Sequence, residues 1–381
     1  MTSRLPLVLI ILAVALPAVA QEKPAADLKR SIDSLSVFDY ATRMNAARVV
    51  RRTAPAEAVP ALNAAVRGHS DQFVRYRALV LLTAFNDPAT ADLMRSLLTD
   101  RNDRVREIAY RWFERYPDPR ITGALLAALD TEQAEFVRPA LIRALAMLPV
   151  DDRVQRALTA EAGRGLDFFR SAVIEALGEH RATYAVQALI SVAAIEGPLQ
   201  DDAVLALGRI GDRRAVPTLA SLTNAPQEVA PALQAAQCLL GDNCAARIGW
   251  LTQAARGPGA RPEIARAAVS ALGAVASQGD SAAVDALIGL ERDAAGRFRG
   301  DLASAFAAVA LRQPGEIIVW LGRAADAVRA RAIDLLREGF DSLEEDFAEE
   351  QFFSVARAAY WSAAAAETRA LTATLIDKLE F

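Results

Sequence analysis

A large apolar residue recurs along the chain at Val50, Leu82, Phe113, Leu145, Leu177, Leu207, Leu239, Leu272, Val309 and Leu336, with successive gaps of 32, 31, 32, 32, 30, 32, 33, 37 and 27. Four residues earlier stand apolar or small side chains such as Ala78, Leu141, Val173 and Ala203. Eight residues earlier stand Val74, Val105, Val137, Phe169, Leu199, Ile264 and Val328. Spacings of four and eight place these positions on one face of an α-helix. A second stripe follows each short turn, at Leu62, Leu93, Leu125, Leu158, Leu189, Leu219 and Leu287. The turns hold Asn86-Asp87-Pro88, Pro117-Asp118-Pro119, Pro149-Val150-Asp151-Asp152 and Gly211-Asp212. Asp serves as an N-cap and Pro as a first helical residue. No strand-like alternation is present. A helical period near thirty-two predicts an all-α α-solenoid of about nine to ten stacked helix pairs, an open arc without a central cavity.

Composition adds the packing style. Apolar residues make up 53% of the 381 residues and aromatics only 6%, so Ala, Leu and Val fill the seams between closely spaced helices. Residues 1–20 stand apart from the repeat. Arg4 precedes a 15-residue apolar run, Leu5 to Val19, and Ala18-Val19-Ala20 forms a small-x-small site before Gln21. That order is the signature of a cleavable secretory signal, with the cut between Ala20 and Gln21. It is short for a membrane span, which takes roughly 20 apolar residues; retention as an uncleaved anchor is the alternative, and no later segment is apolar for long enough to span. The exported chain would be periplasmic, with secreted or envelope-tethered forms as alternatives. Loss of Arg4 leaves 42 basic and 47 acidic residues, a net charge of −5. This argues against bulk attraction to nucleic acid. Cys238 and Cys244 flank the turn Gly241-Asp242-Asn243. Oxidised, they would staple one helix–turn–helix unit; otherwise they are two small core residues.

Residues 203–219 read Ala-Val-Leu-Ala-Leu-Gly-Arg-Ile-Gly-Asp-Arg-Arg-Ala-Val-Pro-Thr-Leu. The Ala-Leu-Gly element returns at 176–178 and 271–273, and Ala-Val-Pro-x-Leu at 58–62. This resembles the consensus of HEAT repeats and is most similar to the phycobilisome-lyase type of HEAT-like repeat. The similarity runs over residues 37–338. It leaves residues 21–36 as an N-terminal linker or leader and 339–381 as a C-terminal helical cap. The resemblance implies a protein-binding scaffold whose second helices line a concave face. Arg95, Arg120, Arg156, Tyr184, Gln187 and Arg214 fall on those helices and would form a moderately basic groove, or an ordinary solvated face.

Arg75, Arg106, Arg138, Arg170 and Arg329 stand in register, seven residues before the recurring apolar position. Asp71, Asp103, Glu135, Asp167 and Asp326 precede them by three or four residues. Such pairs support a helix start, and each guanidinium fork has the reach to bind an acid of the next repeat. The column is absent at Gln200, Ala232 and Ala265. At the C-terminal end, Asp341, Glu344, Glu345, Asp346, Glu349 and Glu350 lie among Phe340, Phe347, Phe352, Phe353, Tyr360 and Trp361. This stretch is either the cap of the solenoid or a docking site built on Phe352, Phe353 and Trp361.

Catalytic signals are weak. His69 and His180 are the two histidines, three to four repeats apart, which disfavours a shared metal or general-base site. No metalloprotease, nucleophile-elbow, phosphate-loop or dinucleotide fingerprint occurs. Acid pairs such as Asp151/Asp152 fall at helix starts, where capping accounts for them. The sequence thus predicts an exported adaptor without catalysis, cofactor or metal, acting on protein partners. Two alternatives are a bilin-lyase-like enzyme or enzyme subunit, implied by the repeat type, and a membrane-tethered envelope adaptor.

Overall fold

The computed structural model describes residues 22–222, 226–256, 261–293, 298–343 and 346–381, of which 22–26 and 293 are described by backbone alone. The expected signal and its expected cleavage site lie outside the described residues. The described chain is helical throughout, with no strand. A first helix, α1 (Glu22–Asp33), leads into two rows. The inner row is α2 (Tyr40–Arg52), α4 (Gln72–Thr83), α6 (Asp103–Arg115), α8 (Arg138–Ala146), α10 (Asp167–Glu179), α12 (Gln200–Ile210), α14 (Ala230–Leu239), α16 (Pro262–Ala276), α18 (Arg299–Arg312) and α20 (Asp326–Leu343). The outer row alternates with it: α3 (Pro55–Gly68), α5 (Thr90–Leu97), α7 (Thr122–Thr131), α9 (Asp152–Gly163), α11 (Val186–Ala193), α13 (Val216–Ser221), α15 (Cys244–Arg256), α17 (Ser281–Asp293) and α19 (Pro314–Arg323). Two further helices, α21 (Asp346–Ser362) and α22 (Ala366–Lys378), end the chain.

The repeat positions do what their spacing predicts. Nine of the ten recurring apolar residues are buried on the inner row, and Leu239 is half-buried. The outer-row leucines from Leu62 to Leu287 are buried against them. Capping follows the turn chemistry: the side chains of Asp39, Asp71, Asn102 and Asp151 each accept a backbone N–H of the helix they start. Cys238 and Cys244 are joined by a disulfide across the α14–α15 turn.

Two expectations are corrected at the ends. The leader 21–36 is no linker, because α1 and the turn after it bury Leu28, Ile32 and Leu35. The boundary at 338/339 falls inside α20, which runs on to Leu343.

The register arginines bind in two directions. Their forks donate to carbonyls at the end of the preceding outer helix: Arg75 to Val66, Arg138 to Leu129, Arg170 to Ala162 and Arg329 to Leu321. Those carbonyls have no partner within their own helix. Three also pair with an acid of the next repeat, Arg75 with Asp100 at 2.6 Å, Arg106 with Glu132 at 2.7 Å and Arg138 with Glu161 at 3.6 Å. The acids three or four residues earlier pair only at Asp167–Arg170 and Asp326–Arg329; Asp71 caps its own helix instead. Where the column lapses, the Gln200 amide reaches the Ala193 carbonyl and performs the same closure.

Curvature comes from small residues on the inner row. A Cβ at Gly178 would lie 2.7 Å from Ala206 Cα, one at Gly208 2.4 Å from Ala236 Cα, and one at Gly339 2.3 Å from the Ala303 carbonyl oxygen. At these three junctions, α10 with α12, α12 with α14 and α18 with α20, the inner helices approach backbone to backbone. The array bends until its ends meet, so the open arc without a cavity is replaced by a closed ring. The apolar core runs in two blocks. One runs from Leu28 to Ala236 and takes in Phe347 of α21, the other runs from Ala235 to Phe381 and takes in Ala84, so they join at α14 and again across the closure.

These contacts set two stability predictions. Helical Gly→Ala ordinarily stabilises by about 0.5–1 kcal/mol. Gly208→Ala should instead destabilise by about 1–3 kcal/mol through the backbone clash, whereas Gly273→Ala, whose Cβ would sit 3.4 Å from Ala305 Cβ, should keep the ordinary sign. Urea unfolding of the two variants separates them. Leu145→Ala and Leu177→Ala empty fully buried positions and should each cost roughly 2–5 kcal/mol in the same assay.

Candidate functional site

Closure places the inner row face to face across the ring. A cavity of about 570 Å³ lies between α6, α8 and α10 on one side and α16, α18, α20 and α21 on the other. The helices lining it are the first of each pair, which corrects the expectation that the second helices form the concave face. Glu175 and Glu179 project one turn apart from α10. Arg143 of α8 lies 2.9 Å from Glu175 and 3.4 Å from Glu179. Arg312 of α18 reaches across the ring to both carboxylates, 3.3 Å from Glu175. Arg209 of α12 adds a third guanidinium, 3.8 Å from Glu179. Burial alone would raise the Glu175 carboxyl, but Arg143, Arg312 and Arg209 outweigh it and hold it below its ordinary value. Burial pulls Arg209 and Arg312 down from theirs.

His180 caps α10 and lies 3.6 Å from Glu114. Ligand atoms of Glu114, Glu179 and His180 fall within 4.8 Å of one another, a spacing that a cation would accept. The charge pattern opposes it, because Arg143 and Arg312 already contact Glu179. The cluster is built as a set of ion pairs linking α8, α10, α12 and α18. His69 sits apart, 3.4 Å from Asp33, so the two histidines share no site.

The ring is fastened by α21. Glu350 receives a fork from Arg51 of α2, Nε at 3.0 Å and Nη2 at 2.6 Å, with both side chains at most 5% exposed. One helical turn earlier, Asp346 accepts from Arg77 at 2.9 Å and from the Tyr76 hydroxyl. Farther along, Gln351 donates to the Thr83 carbonyl, Ser354 meets the Asn86 amide at 2.6 Å, and Arg357 donates to the Ala84 carbonyl. The Arg51 guanidinium also rests against the rings of Phe353 and Phe381. Of these residues, some 270 to 300 positions apart in sequence, the sequence singled out as candidates only the acids of α21 and Phe353. Arg51 and Arg77 carry no local signal that marks them as partners.

The residues expected to bind a partner are distributed otherwise. Arg95 pairs with Asp92 and Asp118, Arg120 with Asp118, and Arg214 with Asp212 and the Thr183 carbonyl. Arg156 and Gln187 are exposed, and Tyr184 is half-buried, its phenol pushed up to about 12 by burial. All six belong to the outer row and the turns leading into it, and none lines the cavity. Three of the guanidiniums are paired locally, Arg95 and Arg120 with Asp118 and Arg214 with Asp212. Phe352 and Phe353 are core residues, 0% and 3% exposed, and are withdrawn as docking residues; Trp361 is 76% exposed. Of the acidic stretch, Glu344 and Glu345 lie outside the described residues.

A feature missed in the sequence is a column of exposed rings. Phe73, Phe136 and Phe168 all stand nine residues before the recurring apolar position, at the starts of α4, α8 and α10. They are 46%, 41% and 62% exposed. Arg104 fills the same place on α6, its guanidinium 4.9 Å from the Phe136 ring centre. The nine-residue offset was the available signal.

Closure carries two testable consequences. Removing one partner of a buried ion pair strands the other charge, so Arg51→Ala should destabilise by about 3–5 kcal/mol in urea titration. Glu349, wedged between Asp346 and Glu350, is pushed up to about 8 by burial and then by those two charges, with Arg51 and Arg77 opposing. Its ordinary value is 4.5. Between these values the folded chain binds the proton and the unfolded chain does not, so the contribution to stability is full below about 4.5 and is lost as pH rises toward 8 and above. Melting temperature should therefore fall more steeply from pH 5 to pH 9 in the native chain than in Glu349→Gln.

Comparison with known proteins supports the repeat assignment. Residues 29–112 match the model described as HEAT repeats, and residues 199–225 match the PBS lyase HEAT-like repeat. No curated protein matches the chain. Among solved structures, importin beta is 15% identical, over 93% of this chain and 55% of that one, with a TM-score of 0.39. Human deoxyhypusine hydroxylase is 20% identical over 60% of this chain and 92% of that one, TM-score 0.30. Kap121p is 13% identical over 94% and 37%, TM-score 0.33. These are likenesses of build and say nothing of activity. The chain is a HEAT-repeat protein, an all-α solenoid that includes a repeat of the PBS-lyase type.

Proposed function

We propose that the protein is an exported protein-binding scaffold with no chemistry of its own, and that partners dock on the edge of the ring where the inner-row helices begin. The observation that carries this reading is the exposed column of Phe73, Arg104, Phe136 and Phe168, one residue from each of four consecutive repeats. At the usual 8–10 Å between packed helices the column extends roughly 25–30 Å. Phe38 and Leu166, 99% and 66% exposed, stand at helix starts on the same edge. Soluble chains rarely leave such a row of large apolar groups uncovered, and aromatic and arginine side chains anchor protein interfaces. The absence of chemistry is supported by the inner charges, whose carboxylates are engaged by guanidiniums rather than aimed at a free reacting position. Export is supported by the signal-like residues 1–20 and by the Cys238–Cys244 bridge, which suits an oxidising compartment. Among the described residues no single helix is long and apolar enough to cross a membrane.

Affinity purification from the cell envelope tests both halves. The native chain should begin at Gln21 and retain a specific protein. Phe73→Ser/Phe136→Ser/Phe168→Ser should lose that protein with its melting temperature unchanged. Retention by the triple variant would refute the docking edge, and an intact Met1 in the cytosol would refute export.

A further inference from the structure

We infer that the inner face of α2 and α4 is a docking groove for an acidic amphipathic helix of a partner protein, which α21 occupies while the ring is shut. The inference rests on the protein-binding reading and adds a second, covered surface with a defined ligand chemistry.

The groove already holds a helix. Asp346 and Glu350 stand at i and i+4, on one stripe of α21. They meet Arg77 and Arg51 one for one, and Phe353 follows at i+7 to lie against the Arg51 guanidinium. Two cations spaced for two carboxylates one turn apart, followed by an aromatic, define what the surface recognises. This is the chemistry by which a helix is read in a groove, here with charge selecting the register.

The resident helix fits incompletely. Arg51 Nη1 and Arg77 Nε are buried and find no hydrogen-bond acceptor. Glu349 brings a third carboxylate between the two that are paired, crowded by both, with only the same two guanidiniums opposing. A helix that omits the middle acid and offers acceptors to those two N–H groups would hold the groove better than α21 does. The occupant is therefore exchangeable by a ligand of its own kind.

The architecture also provides a way to release it. The two apolar blocks join at α14 and touch again across the closure, where Phe347 of α21 packs into the first block and Ala84, beside α4, into the second. Across the closure they meet chiefly through polar contacts: the α21 bonds to α2 and α4, the Arg312 pairs with Glu175 and Glu179, and an Arg181–Gln278 bond at 3.0 Å. Opening the ring exchanges these for water, uncovers Phe347 and Ala84, and leaves the seams between neighbouring helices packed. The second block then carries α21 away and bares Arg51, Tyr76 and Arg77.

The probe is a fluorescent peptide of residues 346–362 carrying Glu349→Gln, titrated by anisotropy into full-length protein, with small-angle scattering to report ring opening. Two double variants open the ring from opposite sides. Asp346→Arg/Glu350→Arg empties the groove and should bind the peptide at least ten-fold tighter than the native chain. Arg51→Glu/Arg77→Glu removes the receptor and should expand without binding. The inference is overturned if both variants expand and neither binds, or if they bind equally. Should either double variant lose its helical circular dichroism, the native chain at saturating peptide decides. An increased radius of gyration upholds the exchange and an unchanged one refutes it. The Phe73/Phe136/Phe168 triple variant should bind the peptide normally, so a failed envelope purification and a failed peptide titration point to different surfaces.

Discussion

Backbone-to-backbone approach along the inner row governs the shape of this molecule. At Gly178, Gly208 and Gly339 the facing chain comes so near that no side chain fits between. The glycines of the outer row meet no such approach. Each repeat is therefore shorter inside than outside, and the difference accumulates in one direction. Across ten inner helices it brings α21 onto α4, so the expected arc becomes a ring. Dispersion between interlocked small residues, which is sensitive to tenths of an ångström, thus decides whether the two ends ever meet.

Once they meet, polar chemistry takes over. The seams between neighbours are apolar and dry, but the surfaces brought together by closure carry arginines and carboxylates that must find partners or remain solvated. Arg51 with Glu350, Arg77 with Asp346 and Arg312 with Glu175 and Glu179 are the outcome. Such pairs add less net stability than an apolar seam of the same size, yet they define register, because a shifted ring would bury the charges unpaired. Arginine thus has two uses here. Along the array it closes helix ends and links neighbours; across the ring it selects one closed geometry.

This division of labour sets the interior apart from the edges. Interior charges are committed to each other. The starts of the inner helices face outward, carry rings at Phe73, Phe136 and Phe168, and are left uncovered by closure. Two of the arginines expected in a basic groove are paired locally: an Asp at the turn into an outer helix also holds the Arg two residues on, as Asp118 does Arg120 and Asp212 does Arg214. A motif that reads as surface charge is a helix start completing itself.

The sequence determined the helices, their faces, the two-row alternation and the ladder of arginines, because these depend on contacts within one repeat or between adjacent ones, some thirty residues apart. Even the close approach at Gly208 was legible as the Ala-Leu-Gly element. Of the candidate site, only the acids and rings near residue 350 were visible, and they were read as a cap or a docking patch with Phe352 and Phe353 outward. Tertiary structure alone decided that those rings are core, that the inner row is the first helix of each pair, and that Arg51 meets Glu350. The reason is geometric. A small rotation per repeat is a local property, but the position of the last helix relative to the first is the sum of all of them, and no residue pattern records that sum.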